Sequence, residues 1–324
     1  MANISTCTSA TLKGAATLLR SGNLVAFPTE TVYGLGADAN NQAAIDKLYK
    51  AKGRPVSHPV IIHISSLSNL DRWAREIPEH AIKLARTFWP GPMTLILPRT
   101  DLARDFVTGG QDSVAIRIPA NSLALELLRE FEIQGGLGVA APSANRFGKV
   151  SPTNANAISQ ELAEYLSRND LILDGGSCSI GLESTIIDCT QSHIRILRPG
   201  AITNKMIVNE AGLEPKRIES QSSIYKVKAP GLLKSHYAPS AKVFLSQDAR
   251  AGDGFIALSN IATPSGAIRL ASPKNNAEYA QILYRALNLA DSKQLSRVIV
   301  VPPVGDDIAL AILDRLQRCE FKGL

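Results

Sequence analysis

The sequence is poor in aromatic residues, with Phe, Trp and Tyr together making up 5% of 324 positions. That scarcity argues against a sheet that stacks the bases of single-stranded RNA. Cysteine is also scarce. Cys7, Cys178, Cys189 and Cys319 show no CxxC or other metal-ligand spacing, and in a chain this long they make no disulfide framework. They read as reduced thiols of a cytoplasmic protein. No segment approaches the roughly 18 uninterrupted apolar residues of a membrane span. The first ten residues lack both the basic and the apolar region of a secretory signal, so neither export nor membrane insertion is expected.

The common nucleotide and hydrolase signatures are missing as well. Gly176 and Gly181 have the spacing of a P-loop, but Leu182 stands where its lysine belongs. No GxGxxG follows the first strand, and neither HExxH nor GxSxG occurs. A nucleotide site here must be of another kind.

What is present is a balanced globular composition, 45% hydrophobic and 20% charged, in a chain too long for one ordinary core. The excess of 35 Lys and Arg over 29 Asp and Glu gives +6, which suits an anionic substrate and offers little support for nucleic-acid binding. Apolar runs and helical patterns alternate up to residue 200, as in an α/β sheet with packed helices. Three regions are expected: a larger α/β domain over 8–201, a helix and interdomain linker over 202–240 punctuated by Pro215, Pro230, Gly231 and Pro239, and a smaller α/β domain over 241–324. The last carries no second set of chemical motifs.

The stretch from Gly138 to Thr153 holds the first chemical signal. It begins as a short apolar strand, breaks at Pro142, and places Ser143 and Asn145 where strand becomes loop. On extended backbone Ala141, Ser143 and Asn145 share a side, leaving room for a ligand. Taken alone, it also fits a loop of turn residues with an Asn or Ser helix cap. Thr29, Thr31 and Tyr33 likewise share parity, provided the strand from Leu24 stays extended. Pro55 forces Arg54 out of helical space, so Lys52 and Arg54 are expected to point the same way across Gly53 as a polyphosphate clamp, or else to form a solvated basic helix end. In Pro59–Ile64, His63 faces away from Val60, Ile62 and Ile64. In Asp112–Pro119, Ser113, Ala115 and Arg117 face away from Val114, Ile116 and Ile118, and the arginine is either plain surface or a carboxylate holder.

In combination, Pro28-Thr-Glu-Thr-Val-Tyr-Gly-Leu35, Lys52-Gly-Arg-Pro55, Pro142-Ser-Ala-Asn145 with Ser151-Pro-Thr153, Glu183-Ser-Thr-Ile-Ile-Asp188 and Leu197-Arg-Pro-Gly200 resemble the YrdC-like domain of threonylcarbamoyl-AMP synthases. His236-Tyr-Ala-Pro239 and the trailing domain resemble the long, two-domain form of that family. The resemblance implies a twisted, mixed α/β sheet with an open concave site, and synthesis of L-threonylcarbamoyl-AMP from L-threonine, bicarbonate and ATP. Pyrophosphate is released, and the product serves a threonylcarbamoyladenosine modification of tRNA.

Carried onto this chain, the resemblance assigns L-threonine to Thr31, His63, Arg117, Ala141 and Ser184. ATP falls to Lys52, Arg54, His58, Ser113, Ser143, Asn145, Ser151, Arg198 and Tyr237, with Lys52 and Arg54 the catalytic cations and His58 at a variable position. Magnesium is expected to arrive with ATP, since no carboxylate cluster suggests a dedicated cage. The product would pass to a tRNA-modifying threonylcarbamoyl transferase, for which direct tRNA binding is not required. Two other readings are an RNA-binding module using a concave basic face and a related carbamoyl-adenylating transferase. Transferases of that kind carry cysteine-rich zinc motifs that this sequence lacks.

Overall fold

The computed structural model describes residues 3–216, 227–231 and 237–321. His236 therefore lies outside the described residues. Ten strands form the larger sheet: β1 (Asn3–Thr6), β2 (Val25–Phe27), β3 (Gly34–Asp38), β4 (Ile61–His63), β5 (Met93–Pro98), β6 (Ser113–Arg117), β7 (Val139–Ala140), β8 (Leu171–Asp174), β9 (Thr185–Asp188) and β10 (Arg195–Arg198). Their spatial order is β1-β8-β2-β3-β7-β4-β6-β5-β9-β10. The sheet is mixed: β4 runs parallel to β6 and β5 to β9, whereas β3 with β7, β5 with β6 and β9 with β10 are antiparallel.

Helices α1 (Ser9–Arg20), α2 (Gln42–Lys52), α3 (Leu70–Trp73), α4 (Glu79–Phe88), α5 (Asp105–Thr108), α6 (Ser122–Ile133) and α7 (Ala155–Leu162) connect these strands. Their starts obey capping rules. Thr8 and Thr11 form a reciprocal box ahead of α1, and the Asn41, Asn121 and Asn154 side chains accept backbone N–H groups of α2, α6 and α7.

The two faces of the sheet are covered unequally, and that inequality creates the site. On one face Ile62, Leu95, Val114 and Ile116 join Leu48 of α2 and Leu84 of α4 in the main core. On the other, α1 and α6 cover Val25, Phe27, Val139, Ala141 and Leu173. Ile61, Ile96, Ala115 and Ile186, farther along that second face, share their cluster with no described helical residue and are packed instead by Leu197 of β10 and by Val227 and Ala229 of the linker. The strict alternation expected for β4 and β6 holds, since their even-numbered residues enter the main core.

After β10 the chain makes α8 (Asn204–Met206) and a π-helical turn over Ile207–Ala211. A second, parallel sheet follows, β11 (Lys242–Leu245), β12 (Gly254–Ile256), β13 (Ile268–Ala271) and β14 (Arg297–Val300), in the order β11-β14-β12-β13. Helices α9 (Asn276–Ser292) and α10 (Ala309–Cys319) pack on one face of it. Sequence periodicity misses β1 and β13, which are short and carry too little alternation to stand out from loops.

Candidate active site

The segment between β2 and β3 is a turn and not a continued strand. Thr29 Oγ1 donates to the Val32 carbonyl at 2.6 Å and accepts the N–H groups of Thr31 and Val32 at 3.2 Å each. The turn brings the Thr29 and Thr31 hydroxyls within 2.8 Å of each other. It also overturns the expectation that Tyr33 shares their face: its hydroxyl is tied to Gly175 N–H and the Gly176 carbonyl, and its ring enters the main core.

Arg117, at the end of β6, reaches this turn. Its Nη1 donates to Thr31 Oγ1 at 2.9 Å, Nη2 to Glu30 Oε1 at 2.6 Å and Nε to the Gly91 carbonyl at 3.3 Å. Only three of its five N–H groups are thereby used. The second carboxylate oxygen of Glu30 and Nδ1 of His63 are buried without a hydrogen-bond partner. Parallel pairing of β4 with β6 sets His63 beside Arg117. Burial, with the Arg117 charge adding to it, pushes the His63 imidazole down to about 3, so the ring is neutral at physiological pH. Glu30, absent from the expected site residues, is the carboxylate that orients Arg117.

Lys52 and Arg54 do not converge as the sequence suggested. Gly53 closes α2 in the left-handed conformation (φ +61°), and a Cβ there would meet the Arg146 guanidinium at 2.7 Å. The Lys52 ammonium turns under the loop after β7 and donates to the Ser143 and Asn145 carbonyls, both at 2.5 Å. It is 2% exposed and does not line the cavity, which corrects the expectation that it faces the ligand. A loop with two inward carbonyls needs a donor, and the last turn of α2 supplies it. Arg54 does line the cavity, held by the His58 carbonyl at 3.3 Å and the Pro59 carbonyl at 2.7 Å.

The cavity is lined by Thr31, Arg54, His63, Arg117, Ala141, Ser143, Ser184, Arg198 and Tyr237 among the residues expected there, together with Thr29, Glu183, Pro230 and Gly231. Its empty space is about 540 Å³ with the mouth included. Four further expected residues do not line it. Asn145 shapes the loop, its side-chain amide donating to the Arg146 and Lys149 carbonyls at 2.8 Å each. Ser151 donates to Glu183 Oε1 at 2.6 Å. His58 packs edge-on against Phe147, and Ser113 lies two residues before Ala115 on the open face of β6.

Arg198 ties the far wall together. Its Nε and Nη2 donate to the Ser184 carbonyl at 3.0 and 2.9 Å, Nη2 also to Ser184 Oγ at 3.0 Å, and Nη1 to the Pro230 carbonyl of the linker at 3.0 Å. Ser184 Oγ is in turn 2.7 Å from Thr94 Oγ1.

Glu183 is the second acidic residue missed by the sequence reading. Burial acts to raise its carboxyl, but the Arg315 and Arg198 charges and the Ser151 hydroxyl outweigh it and hold the group at about 2. Among the described residues no carboxylate lies within ion-pair distance of Lys52, Arg54 or Arg198. All three are at least 92% shielded from solvent, with 2%, 8% and 3% exposed. Burying cations against carbonyls alone is costly, and a polyanion in the cavity would offset that cost.

Comparison with known proteins agrees with this geometry. Residues 17–200 match the Sua5/YciO/YrdC family model, described as "Telomere recombination", and residues 201–319 match the model described as "Threonylcarbamoyl-AMP synthase, C-terminal domain". The chain belongs to the Sua5/YciO/YrdC family. Within that family it is 38% identical over 324 aligned positions to the threonylcarbamoyl-AMP synthase of Bacillus subtilis, covering 94% of this chain and 91% of the relative. It is 44% identical over 239 positions to the threonylcarbamoyl-AMP synthase of Pyrococcus abyssi, covering 73% and 68% of the two chains. The crystal structure of P. abyssi Sua5 complexed with L-threonine superposes with a TM-score of 0.85 at 35% identity, over 98% of this chain and 96% of that one. The fold, the second domain included, is thus that of Sua5.

Proposed function

We infer that this protein makes L-threonylcarbamoyl-AMP from L-threonine, bicarbonate and ATP with release of pyrophosphate, supplying threonylcarbamoyladenosine formation in tRNA. The observation that carries this reading is the charge arrangement. Arg54 and Arg198 are buried at one end of a cavity with no carboxylate partner among the described residues, Lys52 lies beneath the adjoining loop, and Arg117 keeps two unused N–H groups at the other end. A triphosphate fits the first end, and an amino-acid carboxylate fits the second. The L-threonine complex of the P. abyssi protein supports the second assignment.

In this reading the threonine amine captures carbon dioxide drawn from bicarbonate to give a carbamate. A carbamate oxygen attacks the α-phosphorus, and the bond to the β-phosphate oxygen breaks with its electron pair leaving on pyrophosphate. The protein contributes placement and charge more than covalent chemistry. Arg117 holds the carboxylate. Thr31, Ala141 and Ser184 bound the side chain and amine. Neutral His63 leaves one ring nitrogen for a substrate hydroxyl or amine. Arg54 and Arg198 meet the phosphates, while Lys52 fixes Ser143 and adds positive potential from beneath the loop. His58, Ser113, Asn145, Ser151 and Tyr237 complete the nucleotide end.

Magnesium is best assigned to the ATP phosphates. Glu30 and Glu183 are each already paired with arginine, and among the described residues no group of three or more His, Cys, Asp or Glu side chains is arranged to hold a metal. No described helix is long and apolar enough to cross a membrane, in keeping with a cytoplasmic enzyme that hands its product to a tRNA-modifying transferase.

The test is pyrophosphate release from ATP and magnesium with L-threonine and bicarbonate omitted in turn, and mass detection of the adenylate. Release that needs both supports the synthase. Release independent of threonine overturns it, and RNA affinity that falls steeply with salt in place of any release points to the binding module.

A further inference from the structure

Two residues of the second domain reach Glu183, a residue of the cavity wall in the first. Glu183 Oε2 accepts the Tyr284 hydroxyl of α9 at 2.9 Å and Arg315 Nε of α10 at 2.9 Å, while its Oε1 accepts Ser151. Arg315 also donates Nη2 to the Pro199 carbonyl at 2.9 Å, next to Arg198, and its Nη1 is held by Asp314 at 2.6 Å. The guanidinium carbon of Arg315 sits 5.4 Å from the Tyr237 ring centre. The rings of Tyr237 and Tyr284 stack at 5.8 Å and 22°. Tyr284 and Arg315 are 0% and 1% exposed. A fully buried arginine in mid-helix, pointed out of its own domain, is more than α10 needs in order to pack, since Ile312 and Leu316 already seat the helix.

We propose that Arg315 and Tyr284 are positioning residues for the nucleotide end of the active site, acting through the Glu183 carboxylate and the Tyr237 ring. Fixing both oxygens of Glu183 fixes the Ser151 hydroxyl. It also places a negative charge where it orders Arg198 without pairing with it, so the guanidinium stays available to phosphate. The second domain then braces the cavity wall from behind and is not an independent module. This proposal rests on the ATP-dependent reading above.

The test uses the full chain and the variants Tyr284→Phe, Arg315→Lys, Glu183→Gln and the double variant Tyr284→Phe/Glu183→Gln, each checked for folding by thermal melting. Tyr284→Phe removes one hydroxyl and keeps the ring stack, so it tests the role even if Arg315→Lys fails to fold. Magnesium-ATP binding is read by equilibrium dialysis, and the KM values for ATP and L-threonine by pyrophosphate release. Expected are a loss of ATP affinity of about tenfold in Tyr284→Phe, as for a hydrogen bond to a charged group, and a KM for L-threonine within about twofold of wild type. The double variant should be no worse than Glu183→Gln alone.

Unchanged ATP affinity with only a lower melting temperature would make these residues structural and overturn the proposal. Additive losses in the double variant would show that Tyr284 does not act through Glu183. If the wild-type chain binds ATP but releases no pyrophosphate, the synthase reading fails while the dialysis ratios still decide this one. A wild-type chain that binds no ATP overturns both.

Discussion

Replacing Lys52 with methionine keeps the length of the side chain and removes its donors. In the folded protein the buried ammonium serves two carbonyls of the loop above it, Ser143 and Asn145, at 2.5 Å each. Each carbonyl left without a donor costs about 1–3 kcal/mol, so Lys52→Met should lose about 2–6 kcal/mol before any offset. The offset is relief from burying a charge. Burial, with the Arg54 charge adding to it, holds the Lys52 amine well below its ordinary pKa. The unfolded chain therefore binds the proton more tightly, and wild-type stability rises with pH from the folded pKa up to the unfolded value. Lys52→Met lacks that slope, so its deficit should be larger at pH 9 than at pH 6.

Thermal melts at the two pH values measure this directly, with about 2–4 °C of shift for each kcal/mol in a domain of this size. In steady-state assays kcat/KM for ATP should fall at least about tenfold, because the loop that carries Ser143 loses its anchor. A variant as stable as wild type at both pH values, with only the KM for ATP raised, would refute the reasoning. Lys52 would then meet the nucleotide directly and the loop would hold without it.

Arg117→Lys keeps a charge but loses the planar fork that serves Thr31, Glu30 and Gly91 together, so it should raise the KM for L-threonine more than that for ATP. His63 is held at about 3 against an ordinary 6.5, so the unfolded chain takes up a proton the folded one refuses. Stability should fall by about 5 kcal/mol as pH drops from 6.5 towards 3, and a His63→Gln variant in acid denaturation should lose that part of the slope. Gly231→Ala should impair turnover, because the position has φ +79° and a Cβ would lie 2.3 Å from the Tyr237 hydroxyl and 3.0 Å from Arg198 Nη1; wild-type kinetics in that variant would mean that the linker does not need its close seat on the cavity.

Period-two alternation exposed the open face of the sheet before any fold was known. It separated Arg117 and Ala115 from Val114 and Ile116, and His63 from Ile62, because every strand there buries its other face in one core. Parity failed at Tyr33, where the Thr29 side chain bends the backbone into a turn, and at Asn145, whose amide closes its own loop. The Lys52-Gly-Arg54 spacing located two buried cations but gave the wrong direction for one. A left-handed glycine reorients the chain, and no local pattern reveals that carbonyls 91 and 93 residues away lack donors. Glu30 and Glu183 stood inside recognised motifs, yet their work depends on long-range partners. Glu30 meets Arg117 and Glu183 meets Arg315, 87 and 132 residues along the chain. Local sequence carries no signal for such pairings.

Those two carboxylates suggest how the fold tolerates so much positive charge in one cavity. Each is spent on an arginine that must be held still, Arg117 by Glu30 and Arg315 by Glu183, and neither forms an ion pair with Arg54, Arg198 or Lys52. The cations left to carbonyl acceptors are those assigned to phosphate. Had Glu183 paired with Arg198 directly, the site would be better satisfied when empty and a worse host for a triphosphate. Arg315 prevents this by taking Glu183 Oε2 from the far side, and the residue that does so comes from the second domain. In the proposed reading, the extra domain keeps an incoming nucleotide, and no internal carboxylate, as the partner of the buried guanidiniums.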